Sequence, residues 1–263
     1  MTTRTHTLAD SATMLRRNLR HQARYLSVTV MLIAMPIVFL LLFVFVLGGT
    51  LGAGLPGVGG GRSEYLAYVA PGVLVLTIAA VAQGTAISVA TDMTEGIIAR
   101  FRTMAISRAA VLSGHVGGAV LQTIAALVIV TVVAVAIGLR PDAGVLDAAA
   151  AVGVLLLIAF SLTWLSVALG VIAKTVESAS NLPMFLLLLP FLSSGFVPTE
   201  SLPSGAAWVA EHQPFTPFTE TLRGLMMGTP IGTSGIETVL WCAAISTLGY
   251  LLARSKYERR SVH

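Results

Sequence analysis

Six stretches without a charged residue divide this chain, and they constrain its fold more than any other feature. The five longest hold 37, 27, 31, 26 and 22 residues, and they lie between Arg24 and Arg62, Glu64 and Asp92, Arg108 and Arg140, Asp147 and Lys174, and Glu177 and Glu200. The sixth, between Glu237 and Arg254, holds 16 residues. A helix that crosses a bilayer needs about 20 consecutive and mostly apolar residues. The spacing of the charges therefore predicts a membrane protein.

The composition excludes a water-soluble globule. Of the 263 residues, 56% are hydrophobic and 11% are charged, whereas about 25% are charged in ordinary soluble domains. The apolar stretches contain Pro and Gly and lack the alternating pattern of membrane strands, so they predict helices. The predicted fold class is an all-α polytopic membrane protein with six transmembrane helices, near residues 26–48, 65–90, 110–139, 146–173, 181–198 and 236–253.

The distribution of basic residues predicts the orientation of these helices. If the amino terminus is cytoplasmic, the tails and loops on that side hold 13 Lys and Arg residues, and the outer side holds only Arg62, Arg140 and Arg223. Basic residues concentrate in cytoplasmic loops, so we expect both termini in the cytoplasm and a multi-pass protein in the plasma (inner) membrane. This asymmetry explains the net charge of +4 without a nucleic-acid partner.

Two regions are expected along the chain. Residues 1–25 predict a cytoplasmic amphipathic helix on the membrane surface, because Leu8, Leu15 and Leu19 share one face while arginines take the others. A solvated basic tail is the alternative. Residues 26–263 predict a single six-span transmembrane domain with an inner loop at 91–109 and an outer segment at 199–235.

Several function classes lack their signatures in this sequence. The only lysines, Lys174 and Lys256, do not follow a glycine as the lysine of a phosphate-binding loop does. The histidines are scattered and no zinc-protease or nucleophile motif occurs, so we predict neither a metal site nor a catalytic residue. The only charges placed within spans are Asp147 and Glu237, and each lies at the end of its span, which disfavours ion-coupled transport. A membrane protein without its own energy-converting group is passive or is driven by a partner.

The inner loop carries an apolar patch surrounded by charge. Read as a helix from about Asp92, the loop brings together Ile97, Ile98, Phe101 and Met104, with Arg100, Arg102 and Arg108 around them. Such a patch indicates contact with the membrane surface or with another protein. A surface connector without a partner remains the alternative.

The outer segment predicts short helices that do not cross the membrane. Thr216 and Pro217 suit the start of a helix and Gly228 suits its end. About eleven residues reach only ~17 Å, which is too short for a bilayer. We expect a re-entrant or interfacial pair of short helices, and an ordinary aromatic-rich loop is the alternative.

Two segments resemble one known family. The inner loop, with Glu95-Gly96, Arg100-Phe101-Arg102 and Ser107-Arg108 running into Leu112-Ser113-Gly114, resembles the coupling-helix region of type 2 ABC exporter permeases of the daunorubicin/doxorubicin-resistance type. The outer residues 193–203 and 211–225 resemble the other signature of that branch. With the six-span layout, the resemblance covers essentially the whole chain.

The resemblance implies the transmembrane (permease) subunit of an ATP-driven ABC exporter that moves amphiphilic drugs, antibiotics or similar hydrophobic compounds outward. It implies no enzyme activity and no cofactor in this chain, because ATP and Mg would bind two copies of a separate ABC ATPase. A second copy of this permease, or a similar subunit, and membrane lipids would be the other partners. A permease for a lipid or glycan precursor and a non-transporting membrane enzyme or scaffold remain alternatives.

Three sets of candidate site residues follow. The resemblance assigns contact with the ATPase to Glu95, Gly96, Ile97, Ile98, Arg100, Phe101, Arg102 and Met104. The apolar face of the outer helix predicts an outer gate at Phe215, Phe218, Leu222 and Leu225. Polar residues inside the spans are candidates for the substrate path, although they more often bond helices together; they are Gln83, Thr85, Gln122, Ser161 and Thr163.

Overall fold

The chain folds into helices joined by short connections. The structure is a computed structural model that describes residues 13, 15–18, 26–53, 61–94 and 108–260. The helices of the amino-terminal half are α1 (Leu26–Leu41, continued by a π-helical stretch Leu42–Leu47 and by Gly48–Ala53), α2 (Arg62–Thr94), α3 (Arg108–Ala136) and α4 (Val145–Ile172). Those that follow are α5 (Val176–Asn181), α6 (Met184–Leu188), α7 (Ser204–His212), α8 (Phe215–Met227) and α9 (Ser234–Arg260), with short 3₁₀ helices at Leu189–Leu192 and Thr199–Ser201.

Five helical stretches in the described residues are long and apolar enough to cross a membrane. They are Thr29–Thr50, Arg62–Thr94, Ser113–Ala136, Val145–Ile172 and Ser234–Lys256. These stretches coincide with the first four predicted spans and with the sixth. The prediction of an all-α polytopic membrane protein is therefore confirmed.

The remaining span, predicted at residues 181–198, is a broken segment and not one continuous helix. It consists of α5, α6 and the 3₁₀ helix Leu189–Leu192, followed by turns. Pro183 precedes α6 and Pro190 lies in the 3₁₀ helix. Because proline has no amide hydrogen and clashes with the preceding turn, an unbroken α-helix cannot run through these positions without distortion.

This broken segment nevertheless extends over the depth of a bilayer beside α2. Near its start, the side chain of Gln83 donates to the carbonyl of Ser180 at 3.1 Å. Near its end, the hydroxyl of Tyr65 donates to the carbonyl of Phe196 at 3.3 Å. Gln83 and Tyr65 lie about 27 Å apart along α2 at a rise of about 1.5 Å per residue, close to the ~30 Å thickness of the hydrocarbon core. The contacts support a sixth crossing that runs antiparallel to α2.

Helix α2 is the centre of the fold. Most of its side chains are buried, and it packs against α1, α3, α4, α8 and the broken segment. The surrounding helices turn apolar side chains outward, and Val46, Val132 and Leu240 are more than half exposed. An apolar exterior around a packed centre is what a lipid-embedded bundle requires, because lipid tails replace water around it.

Helices α2 and α4 approach each other at a glycine. A Cβ atom on Gly170 of α4 would lie 2.5 Å from the carbonyl oxygen of Ala86 and 2.9 Å from the Cβ of Val89, both on α2. Small residues allow such close contact between membrane helices. The position of α4 against the central helix therefore depends on the absence of a side chain at this position.

Candidate functional site

A charged cluster lies at the end of α2, immediately before residues 95–107, with its arginine partly exposed and its other members buried. The guanidinium of Arg17 donates twice to the carboxylate of Asp92, from Nη1 to Oδ2 at 2.9 Å and from Nη2 to Oδ1 at 3.2 Å. Nε2 of His115, on α3, lies 3.2 Å from the same Oδ2. Asp92 is only 7% exposed and His115 only 5%. We call Arg17, Asp92 and His115 the inner cluster.

Asn18 extends the inner cluster toward α3. Its amide nitrogen donates to the carbonyl of Gly114 at 3.4 Å and lies 3.5 Å from Nδ1 of His115. A carbonyl can only accept, so the NH₂ group of Asn18 faces Gly114 on α3.

Two adjacent glycines of α3 allow the amino-terminal segment to come this close. Residues 15–18 are helical. A Cβ atom on Gly118 would lie 2.7 Å from the amide nitrogen of Asn18, and one on Gly117 would lie 3.3 Å from the side chain of Leu15. Larger residues at these two positions would hold the segment away from α3. The expected amphipathic helix is thus described at residues 15–18, where Leu15 faces α3 and Arg16 is exposed.

The residues predicted to contact an ATPase lie outside the described part of the chain. Residues 95–107 hold all eight of them. Residues 91–94, expected in the inner loop, instead form the last turn of α2, and α3 begins at Arg108. The expected helix start at about Asp92 is therefore wrong, because this carboxylate belongs to the end of a long helix and is buried there.

The outer segment contains the two expected short helices, α7 and α8. Helix α8 begins at Phe215, after Pro214, and ends at Gly228, whose φ of 65° is left-handed and suits glycine. Side chains of the predicted gate are buried within this one chain. Phe215, Phe218 and Leu222 are 0% exposed and Leu225 is 6% exposed, and they belong to the core that includes side chains of α2 and α4.

An arginine holds α8 to two other elements. Nη2 of Arg223 donates to the carbonyls of Ser194 at 2.6 Å and Tyr68 at 3.2 Å, and its guanidinium carbon lies 3.9 Å from the centre of the Tyr68 ring. Burial lowers the pKa of this guanidinium, which still stays protonated at physiological pH. On the same helix, Glu220 accepts a hydrogen bond of 2.9 Å from Ser234 of α9. Helix α8 is therefore tied to α2, to the broken segment and to α9.

The predicted substrate-path residues mostly bond within the chain. Gln83 donates to Ser180, as described above, and Gln122 donates to the hydroxyl of Thr29 at 3.4 Å. The hydroxyls of Thr85 and Ser161 donate to backbone carbonyls of their own helices at 2.9 Å. Thr163 is 1% exposed. Contact of these five residues with a substrate stays a prediction.

Sequence reasoning missed the inner cluster and the contacts of Arg223. From the sequence alone, Asp92 is expected in the inner loop, and Arg223 indicates only the orientation of the helices. The inner cluster could have been predicted in part. Asp92 and His115 lie near the facing ends of two successive spans, so a helical hairpin brings them together. For Arg223 the sequence offered no comparable signal, because its partners are backbone carbonyls of distant segments.

Comparisons with known proteins agree with this architecture. The family described as ABC-2 type transporter matches residues 11–227. The daunorubicin resistance ABC transporter permease protein DrrB1 of Streptomyces coeruleorubidus is 33% identical over 199 residues, which cover 75% of this chain and 68% of that protein. The probable doxorubicin resistance ABC transporter permease protein DrrC of two Mycobacterium tuberculosis strains is 22% identical over 178 residues, 68% of this chain and 64% of DrrC.

Proposed function

This chain belongs to the ABC-2 type transporter family, and we propose that it is the permease subunit of an ATP-driven exporter of amphiphilic drugs, antibiotics or similar hydrophobic compounds. The observation that carries the proposal is the 33% identity to a daunorubicin resistance permease across 75% of this chain. A permease subunit of this family is a multi-pass membrane protein and is not itself a catalytic enzyme. The energy for export therefore has to come from another subunit.

The partner would be a separate ABC ATPase present in two copies, which bind ATP and Mg. Residues 95–107 connect α2 to α3, and both flanking helices pack into the bundle. A segment in this place transfers a push from a cytoplasmic partner directly to the central helix. We assign contact with the ATPase to residues 95–98, 100–102 and 104, and this assignment requires the cytoplasmic orientation that the basic residues predict.

A second permease copy, or a similar subunit, would complete the exporter. Helix α2 is nearly enclosed by its own chain, so a substrate path through the centre of one copy would have to displace packed side chains. A path along the interface between two copies would leave these packed side chains in place. The polar candidates Gln83, Thr85, Gln122, Ser161 and Thr163 would contribute to that path only where they face this interface.

The outer gate would open by a rigid-body movement of whole helices. Since the apolar side chains of α8 are packed against α2 and α4, α8 would not open by exposing Phe218 or Leu222 to water. We propose that α7 and α8 shift together with the amino-terminal part of α2, and that the gate opens where this unit meets the second copy.

Drug accumulation in intact cells tests the proposed function. Cells that express the chain together with its cognate ATPase should accumulate less daunorubicin than cells with either protein alone. The control is the same pair with the Walker lysine of the ATPase replaced, which should abolish the difference. Equal accumulation in all these cells, with both proteins present in the membrane fraction, would contradict drug export.

A further inference from the structure

The inner cluster stands out because it buries charge at the edge of an apolar bundle. A buried carboxylate is costly unless it is paired and hydrogen-bonded. Both oxygens of Asp92 are used here, Oδ1 by Arg17 and Oδ2 by Arg17 and His115. Buried ion pairs contribute little net stability compared with apolar packing, so stability alone does not account for this cluster.

The cluster joins three separate parts of the chain. Arg17 belongs to the amino-terminal segment, Asp92 lies two residues before the end of α2, and His115 lies two turns into α3. Asn18 adds a second contact between the amino-terminal segment and α3 through Gly114. The cluster therefore connects the helix before residues 95–107 to the helix after them.

We propose that Asp92 is a positioning residue that clamps the amino-terminal segment and the first turns of α3 to the end of α2. With the clamp closed, these parts move as one body, and force applied to residues 95–107 reaches α2 and α3 together. With the clamp open, the same force displaces the loop and its flanking turns without moving the bundle. This inference rests on the proposed function, because the force is that of the ATPase.

Asp92→Asn is the most selective variant, because it removes the negative charge and keeps the size of the side chain. The asparagine amide can offer only one acceptor oxygen, and its NH₂ group would face a donor of Arg17 or His115. Arg17→Gln removes the positive charge that pairs with Asp92. If both residues act through one contact, the double variant should be no worse than either single variant, because a shared interaction is lost only once.

The measurement has two independent parts. Each single variant should keep the wild-type membrane abundance and ATPase copurification, and in liposomes that contain the purified complex its basal hydrolysis should be unchanged while daunorubicin transport per ATP falls about tenfold. By hydrogen exchange, the amides of residues 13–18 and 108–115 should exchange about tenfold faster in Asp92→Asn, with α8 unchanged. Glu237→Gln, which removes an exposed carboxylate from the start of α9, is the matched control and should behave as wild type.

Each outcome decides the proposal. Unchanged exchange and unchanged export in Asp92→Asn would overturn it, and so would additive losses in the double variant. If Asp92→Asn does not accumulate, the pair His115→Gln and His115→Leu replaces it, because only glutamine keeps a donor for Asp92. Normal exchange in His115→Leu would then overturn the clamp. Wild-type protein that exports no drug contradicts the proposed function instead, and the exchange data still test the clamp.

Discussion

At the scale of single residues, buried polar groups determine how the helices are held. Arg223 satisfies carbonyls of two distant segments, and Asp92 accepts from two donors at the opposite end of α2. Such groups are costly to bury and costly to leave without partners. Truncation of the buried Arg223 should therefore lower the free energy of unfolding more than truncation of an exposed arginine.

Arg223→Ala should destabilise the protein by about 1 to 3 kcal/mol, because it leaves the Ser194 carbonyl without its donor and removes the stacking on Tyr68. Lysine at this position should restore only part of the loss, since it lacks the planar fork of arginine. The thermal midpoint of the purified protein measures the effect. Arg140→Ala, at an exposed arginine, is the control, and an equal shift in both variants would contradict the assigned contacts.

Phe218→Ala should destabilise the protein by about 3 to 5 kcal/mol, because the ring is fully buried in the core of its own chain. Trp208→Ala on α7 should cost much less, since Trp208 is 62% exposed. The free energy of unfolding or the thermal midpoint in detergent compares the two. A larger loss in Trp208→Ala would show that α7, and not α8, carries the packing of the outer segment.

At the scale of helices, long uncharged stretches predicted five spans well, whereas the sixth is irregular. Charge spacing reports length and apolarity, and it does not report whether Pro183 and Pro190 break a helix. Helical spacing predicts that Phe218, Leu222 and Leu225 share one face of α8, and the structure buries this face in the core of its own chain. Which elements cover that face could not be predicted, because burial against α2, α4 and α9 depends on tertiary packing.

Gly170→Leu should displace α4 from α2, since any side chain at this position overlaps the carbonyl of Ala86. We expect a loss of about 1 to 3 kcal/mol. Gly153→Leu is the matched control on the same helix, because a Cβ atom there meets nothing within 4 Å. Membrane abundance and thermal midpoint distinguish the two variants. Similar values for both would contradict the close contact between α2 and α4.

Phe101→Ala tests the proposed contact with the ATPase. If the ring is a buried anchor of that interface, its removal should weaken binding by about 2 to 4 kcal/mol. Arg102→Ala should cost less, about 0 to 1 kcal/mol, if the guanidinium lies on a solvated rim. Pull-down of the tagged ATPase at matched membrane abundance gives the result. Unchanged pull-down together with unchanged export would mean that this loop is not the coupling element.

At the scale of the whole molecule, the chain forms a bundle around α2. A charged clamp lies at one end of α2, and α8 is held at the other end. The contacts of Asp92 and those of Arg223 lie at opposite ends of the same central helix. A rigid central helix held at both ends would transmit movement from one end of the bundle to the other. In the proposed function, a separate ATPase is the source of that movement.

Transport by reconstituted vesicles gives a direct test of ATP-driven export by this chain. The chain and its ATPase are inserted together into liposomes with the ATPase outside, and daunorubicin uptake is measured with and without ATP. We expect uptake only when both proteins, ATP and an intact Walker lysine are present. Vesicles that contain the chain alone should show no such uptake. ATP-independent uptake, or no uptake by a complex that hydrolyses ATP, would contradict ATP-driven export by this chain.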